Sequence, residues 1–491
     1  MSIWSRKSIE ILSAEAAGKA GDASHHLPRS LGILGLTAFG VGSTIGAGIF
    51  SLTGDVAANH AGPAVTISFL LASIGCFFAG LCYAEFAAMV PIAGSAYSYA
   101  YATLGELVAW IIGCSLVLEW LLSASVVAIS WSGYMTAALQ DYLGIALPAV
   151  LSAAPISIQH LQFTGAWINL PAVIVVLGCM GMLLYGTRSS ATVNTVIVIA
   201  KITALVAVIV VGSHYVNPAN WHPFVPANTG EPGGFGWSGV AHGAATIFFA
   251  YIGFDGVSTL AEEAKNPQRT VPWSLFLSLA ICTVVYVGVS LVITGLTSYR
   301  NLGVDDPLYF ALSASHAPLG WLKAVVAVVA FFGLISVILT SIVGQVRIFF
   351  AMARDGLIPK AFGQVGKRKT PWIATLITGL IAALAAGLFR LDELGDLVSF
   401  GTLLAFSMVC AGVWIMRYLA PNARRPFRAP WVPLIPLLGV GCCVALMFFL
   451  PHIIWKWVGI WIVFGLLIYA LYGYKHSALR AQLKRNAQAA R

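Results

Sequence analysis

Charge is scarce in this sequence: only 9% of its 491 residues are Asp, Glu, Lys or Arg, about a third of the share found in an ordinary soluble domain. A water-soluble fold of this length cannot cover itself with so few charges. The patterns that enzyme chemistry leaves are missing as well. No GxxxxGK[ST] phosphate loop occurs, no nucleophile stands beside a base, and His242 is a lone imidazole, better read as satisfied among helices than as catalytic. The eight cysteines, Cys76, Cys82, Cys114, Cys179, Cys282, Cys410, Cys442 and Cys443, lie inside apolar runs without metal-ligand spacing to histidine. They read as small core residues. No metal, no cofactor and no enzymatic activity are expected. The net charge of +9 does not indicate nucleic acid, because the Lys and Arg residues sit in short clusters between apolar runs. The polar segment up to Ser30 is followed by no cleavage-like site, so no removable signal peptide is expected.

What fills the chain is apolar sequence, 59% of all residues. Runs of 18 or more apolar residues recur throughout, each long enough to cross roughly 30 Å of hydrocarbon as a helix. Twelve spans are expected, starting near Leu31, Pro63, Leu107, Leu170, Ala191, Ser238, Trp273, Leu319, Trp372, Leu394, Val432 and Ile453. This is an all-α integral membrane protein, helix after helix with short connections.

The positive residues set an orientation. With the N-terminus inside, the inner segments hold Arg6, Lys7, Lys19, Arg29, Arg188, Lys265, Arg269, Arg354, Lys360, Lys367, Arg368, Lys369 and Arg417. Arg424, Arg425, Arg428 and the tail residues Lys475, Arg480, Lys484, Arg485 and Arg491 follow on the same side. The outer loops hold only Arg300, Arg390 and Lys456. Both termini are expected in the cytoplasm, with the protein in the cell membrane.

Glycine then divides the chain. Span 1 carries Gly40, Gly42, Gly46 and Gly48, and span 6 carries Gly253 and Gly256 beside Asp255. Glycine in membrane helices also serves close helix packing. Interruptions at matching positions of two halves mark an inverted-repeat transporter whose discontinuous helices form the site. The expected division is a cytoplasmic segment 1–30, a first repeat 31–215, a second repeat 238–418, two extra helices within 431–474, and a cytoplasmic tail 475–491.

GSTIGAGIF at Gly42–Phe50 resembles the unwound segment of helix 1 in the amino acid, polyamine and organocation transporter superfamily. Three further stretches, Tyr83 to Trp120, Phe248 to Pro272 and Gly344 to Pro359, look like its cationic amino acid transporter branch, particularly the shorter bacterial members. The resemblance covers about the first 430 residues. Two departures stand out: animal members of the branch have fourteen helices, and Ala47 stands where many relatives have Ser or Thr.

An amino acid inside a membrane needs donors for its carboxylate and acceptors for its ammonium. The N–H groups around Ala47 and Gly48, at the start of the second half of span 1, suit the carboxylate. The carbonyls around Thr44 and Ile45 suit the ammonium, and Gly46, between them and Ala47, belongs to the substrate site. By resemblance, Phe249, Ala250 and Ile252 add carbonyls from span 6, and Phe254 looks like an aromatic lid. Glu119 and Lys201 both lie roughly 15 to 18 Å into their spans, near the depth of the two breaks. A charge at that depth is a functional candidate by default. Lys201 is expected to carry the coupled proton, its amine standing where sodium-coupled relatives hold a cation between helices 1 and 8. Glu119 either faces a cationic substrate side chain or is a structural partner within the bundle, and Ser341, aligning with a small polar residue of the cationic transporters, leaves room for the former. Glu85, Asp255 and Arg347, with Glu262, Glu263 and Arg354, are candidates for an inner gate, or else for interface anchoring.

These residues imply proton-coupled symport of cationic or broad-range amino acids, driven by the transmembrane proton gradient within the lipid bilayer. Exchange of amino acids or polyamines and sodium-coupled symport stay open as alternatives, as does a small accessory membrane subunit. An ion channel is the rival from another class, but no repeated filter motif or ring of like charge occurs.

Overall fold

The computed structural model describes residues 6–7, 31–89, 95–158, 162–186, 191–231, 233–261, 264–315, 317–366 and 370–489. Lys19, Arg29, Arg188, Glu262, Glu263, Lys367, Arg368, Lys369 and Arg491, named above, lie outside them. Apart from one short antiparallel pair, Ile156–Ser157 with Gln162–Phe163, the described regular structure is helical. Eight helices are long and apolar enough to cross a bilayer, and four more apolar helices are shorter.

The helices that build the centre are α1 (Ile33–Thr44), α2 (Val65–Met89), α3 (Glu106–Leu143), α4 (Leu170–Tyr185), α5 (Ala191–Gly212), α6 (Gly236–Ile247) and α7 (Gly256–Thr259). They are followed by α8 (Pro267–Leu296), α9 (Gly320–Arg354), α10 (Trp372–Leu388), α11 (Leu391–Leu419), α12 (Leu434–Phe449), α13 (His452–Ile468) and α14 (Ala478–Ala489). Helices begin close to every start point read from hydropathy. The largest offset is at Trp273, where α8 begins earlier, with Pro267 in its first turn; a proline is favoured there because its missing N–H is not needed.

Helix α3 is the axis of the molecule, packing along α9 and α11, while α8 packs against α1 and α2 and α5 fits between α1 and α9. Small residues allow these close approaches. A Cβ on Gly344 of α9 would come within 2.4 Å of the Trp120 ring on α3.

Charges on the face that carries both described chain ends are buried in pairs. Lys7 donates to Asp355 at 2.8 Å, and the Tyr97 hydroxyl donates to the other Asp355 oxygen at 2.8 Å. Glu106 forms an ion pair with Arg480 at 3.0 Å and accepts from the hydroxyls of Tyr101, Tyr469 and Ser477. The start of the C-terminal helix α14 is thereby fastened to α3. Helix α14 itself was not expected from sequence, since its polar composition gives no apolar run.

Candidate functional site

Two helix interruptions meet at the centre. Helix α1 stops at Ile45, whose ψ of 92° leaves the helical region, and the chain resumes helical geometry through a π turn at Gly48–Leu52. After α6 the chain tightens into a 3-10 turn, Phe248–Tyr251, and unwinds at Ile252. Gly253 follows with φ of +112°, and a Cβ there would stand 2.8 Å from the Ser43 carbonyl carbon. Only glycine suits both the dihedral and the space. Gly48 faces the other break just as closely, since its Cβ would come 2.3 Å from the Ala250 Cα.

Two side chains tie the two breaks together, and a third holds the first of them. Ser43 donates to the Gly253 carbonyl at 3.1 Å. The Tyr286 hydroxyl of α8 lies 2.9 Å from the carbonyl oxygens of both Thr44 and Ala250. Lys201, fully buried on α5, donates to the carbonyls of Gly42 at 3.0 Å and Ile45 at 2.9 Å. Its stem runs against Gly333 of α9, where a Cβ would come 2.6 Å from the lysine Cε. The amine therefore stands between the broken end of α1 and α9.

The N–H groups of Gly46, Ala47 and Gly48 find no acceptor among the described residues. They begin a helical segment, so they form a compact set of unpaired donors with a positive dipole behind them. The carbonyls expected to take an ammonium are already engaged on one side: Thr44 and Ala250 by Tyr286, Ile45 by Lys201, and Phe249 by the Ile252 N–H. Each carbonyl oxygen has a second lone pair, so these groups can accept one more donor each. Tyr286 was missed by sequence reasoning, because a tyrosine inside an apolar run carries no local signal.

Other expected residues fall in different places. Phe254, expected as a lid, is fully buried and packs edge-on to Tyr83 and Phe406, with ring centroids 6.5 and 5.6 Å away. In this conformation its ring belongs to an aromatic cluster on α2 and α11. The three gate candidates separate too. Glu85 is held by Arg417 through two bonds of 2.9 and 2.8 Å, by Arg425 at 3.2 Å and by the Ala429 N–H at 2.8 Å. Its partners are thus on α11 and the segment after it, not on α9. Arg347 reaches Thr259 at 3.4 Å, and Asp255 turns back to accept from the Gly253 N–H at 3.2 Å. Glu119 and Ser341 are both buried, on α3 and α9.

A cavity of about 470 Å³ opens beside Ser51, three residues beyond Gly48, and is lined by Asp55, Asn169, Asp305, Arg390 and Asp392 among others. It lies toward the C-terminal end of α3, with Ile129, Ala149 and Val150 in its lining, whereas Glu106 and Arg480 meet at the start of that helix. Asp305 borders this opening, yet the protein packed around its carboxyl, reinforced by Asp392 and Asp55, pushes it up to about 6. Burial, with Asp305 next to it, pushes Asp306 up to about 7.

Known proteins resemble this chain over nearly its whole length. A family model described as amino acid permease matches residues 31–472. The chain is 43% identical to the methylthioribose transporter of Bacillus subtilis over 481 residues, 97% of this chain and 99% of that protein. It is 42% identical to the branched-chain amino acid permease BcaP of the same organism over 480 residues, again 97% and 99% of the two chains. A vacuolar cationic amino acid transporter 4 of Arabidopsis thaliana is 36% identical over 82% of this chain and 65% of its own length.

Proposed function

We propose, from the premise that this chain belongs to the amino acid permease family and is a transporter, not an enzyme, that it is a secondary active symporter moving amino acids by alternating access with a proton as the coupled ion. Twelve crossings with both termini in the cytoplasm fit the helices. Helix α1 and residues 48–61 together make the first crossing, and Val65–Met89 the second. Residues 31–215 and 238–418 form the two inverted repeats, each opening with a discontinuous helix.

The carboxylate of the substrate binds the unpaired N–H groups of Gly46, Ala47 and Gly48, and its ammonium shares the carbonyls of Thr44, Ile45, Phe249 and Ala250. Binding at backbone groups suits a site in which Ala47 offers no hydroxyl. The names of the relatives differ in cargo, so side-chain preference is argued from this chain. Ser341 leaves space beneath the site toward Glu119, which favours cationic or broad-range L-amino acids.

The single observation that carries the coupling is Lys201 on the Gly42 and Ile45 carbonyls. A protonated amine there bridges the end of α1 to α9 and α5; the neutral amine has fewer hydrogens to donate and no charge to hold the carbonyl dipoles. Loading and losing the proton thus alternately fastens and frees α1. In proteoliposomes, an inward proton gradient is expected to drive accumulation of labelled amino acid, an uncoupler to abolish it, and sodium to leave it unchanged. Accumulation driven by a sodium gradient alone would reject the proposal, and strict dependence on internal amino acid would identify an exchanger.

A further inference from the structure

Two helix faces lead from the first break toward the side of Lys7 and Arg480. Gly46 stands between α3 and α9, since a Cβ there would lie 3.3 Å from Val337 and 3.8 Å from Val127. Residues three or four apart share a helix face. The face of Val127 therefore continues through Ser123 to Trp120, and that of Val337 through Ser341 to Gly344 and Gln345. Helix α3 begins at Glu106, which pairs with Arg480, and α9 ends just before Asp355, which pairs with Lys7, so both faces run to the same side. Seven residues along each, about 10 Å from the site, they meet. The Trp120 indole fills a notch at Gly344, where a Cβ would stand 2.4, 2.7 and 2.8 Å from three of its ring atoms.

The far edge of the indole faces the broken helices. Gly256 opens α7 directly after the second break, and its Cβ position lies 3.4 Å from the indole and 3.5 Å from the Phe39 ring. Phe39 is on α1, one turn before Ser43, whose hydroxyl donates to the Phe39 carbonyl at 2.7 Å. The indole thus stands between two continuous helices, α3 and α9, and the inner half of a broken one. It is 4% exposed. Hydrogen bonding does not hold it there: its Nε1 has no partner, nor has either side-chain heteroatom of the fully buried Gln345 beside the notch. An orphan donor or acceptor in a dry place costs free energy that water relieves. The closed arrangement therefore carries polar groups that only a wetted path satisfies.

We propose, resting on the reading of Gly46, Ala47 and Gly48 as the substrate site and of transport as alternating access, that the Trp120 indole is the inner gate of the substrate path. With α7 and Phe39 in place, the ring closes the chamber about 10 Å below the bound carboxylate. When the inner halves of the broken helices swing outward, the ring loses its opposing wall and leaves the Gly344 notch, and the amino acid passes to the cytoplasm. Water entering behind it reaches the Trp120 N–H and the Gln345 amide, which offsets part of the packing given up. Because the indole is carried by a continuous helix, it closes only when α1 and α7 return, so closure is tied to reassembly of the site.

The test is the speed of substrate binding and release, measured on the purified full-length protein in nanodiscs with labelled lysine and labelled alanine as probes. A gate slows entry and exit alike. In Trp120→Ala the association and dissociation rates are both expected to rise about 10-fold or more, while Kd changes by less than about threefold. Gly344→Ala, which drives the ring out of its notch, is expected to act in the same direction, and Trp120→Phe, which keeps a ring there, to stay near the unmodified rates. Should Trp120→Ala bind neither probe, Gly344→Ala decides by the same two rates. Unchanged rates would overturn the proposal. Faster dissociation with unchanged association would overturn it too, because Kd would rise in step and the indole would be a substrate contact, and so would loss of binding in both variants. Binding of neither probe by the unmodified protein would instead reject the backbone site itself.

Discussion

The Lys201 amine lies 2.9 Å from the carbonyl oxygen of Ile45, the residue at which the first helix stops. A cation is thus placed on the exposed end of a broken helix, where carbonyl dipoles point outward without intrahelical partners. No other described side chain holds this end by charge. The position of the amine is set from behind by the absence of a side chain at Gly333.

That dependence is testable. Gly333→Ala would put a carbon 2.6 Å from the lysine Cε, forcing the amine off its carbonyls. Initial uptake into proteoliposomes is expected to fall about 10-fold or more. Gly178→Ala, where nothing lies within 4 Å of the added carbon, is expected to transport normally.

Tyr286 gives a second prediction. Its hydroxyl serves two buried carbonyls, one on each broken segment, and Tyr286→Phe leaves both short of a donor. A loss of about 1–3 kcal/mol is expected, read as a lower thermal unfolding midpoint of the purified protein. An unchanged midpoint would show that the two carbonyls are satisfied in some other way.

Glu85 anchors the segment after α11. Glu85→Ala leaves the Arg425 guanidinium, whose side chain is only 2% exposed, without its counter-charge. Breaking a buried pair from one side costs about 3–5 kcal/mol. The variant is therefore expected to unfold at a clearly lower temperature, whereas Arg390→Ala, whose side chain is half exposed, is expected to shift it little.

Asp305, which lines the cavity beside Ser51, and its neighbour Asp306 predict a pH dependence of stability. Folding moves Asp305 from 3.8 up to about 6 and Asp306 up to about 7. Between about pH 4 and 7 the folded chain therefore binds more protons at these two sites than the unfolded chain does. Their contribution to stability falls as pH rises through that window. The unfolding midpoint is expected to rise on acidification from pH 8 to pH 5, and the slope to flatten in Asp305→Asn with Asp306→Asn.

Much of this was legible in the sequence because the signals are local. An apolar run marks a helix by itself, Gly46, Gly48 and Gly253 mark breaks by their spacing, and Lys201 stands out because a lysine in the middle of an apolar span is costly. What was not legible depends on contacts between distant segments. Glu85 meets Arg417 across 332 positions of sequence, so nothing near either residue announces the pair. Tyr286 is one of 16 tyrosines, and only the fold brings it to both breaks. The direction of the Phe254 ring depends on distant segments in the same way: its position after the break is a sequence property, but its packing is set by Tyr83 and Phe406.

The central claim is that protonation of Lys201 drives the cycle, and the direct measurement compares two modes of transport in one variant. Lys201→Gln in proteoliposomes is expected to lose accumulation driven by an inward proton gradient, yet to keep exchange of labelled for unlabelled amino acid, because the backbone site is intact. Proton-driven accumulation by Lys201→Gln at the unmodified rate would contradict the account.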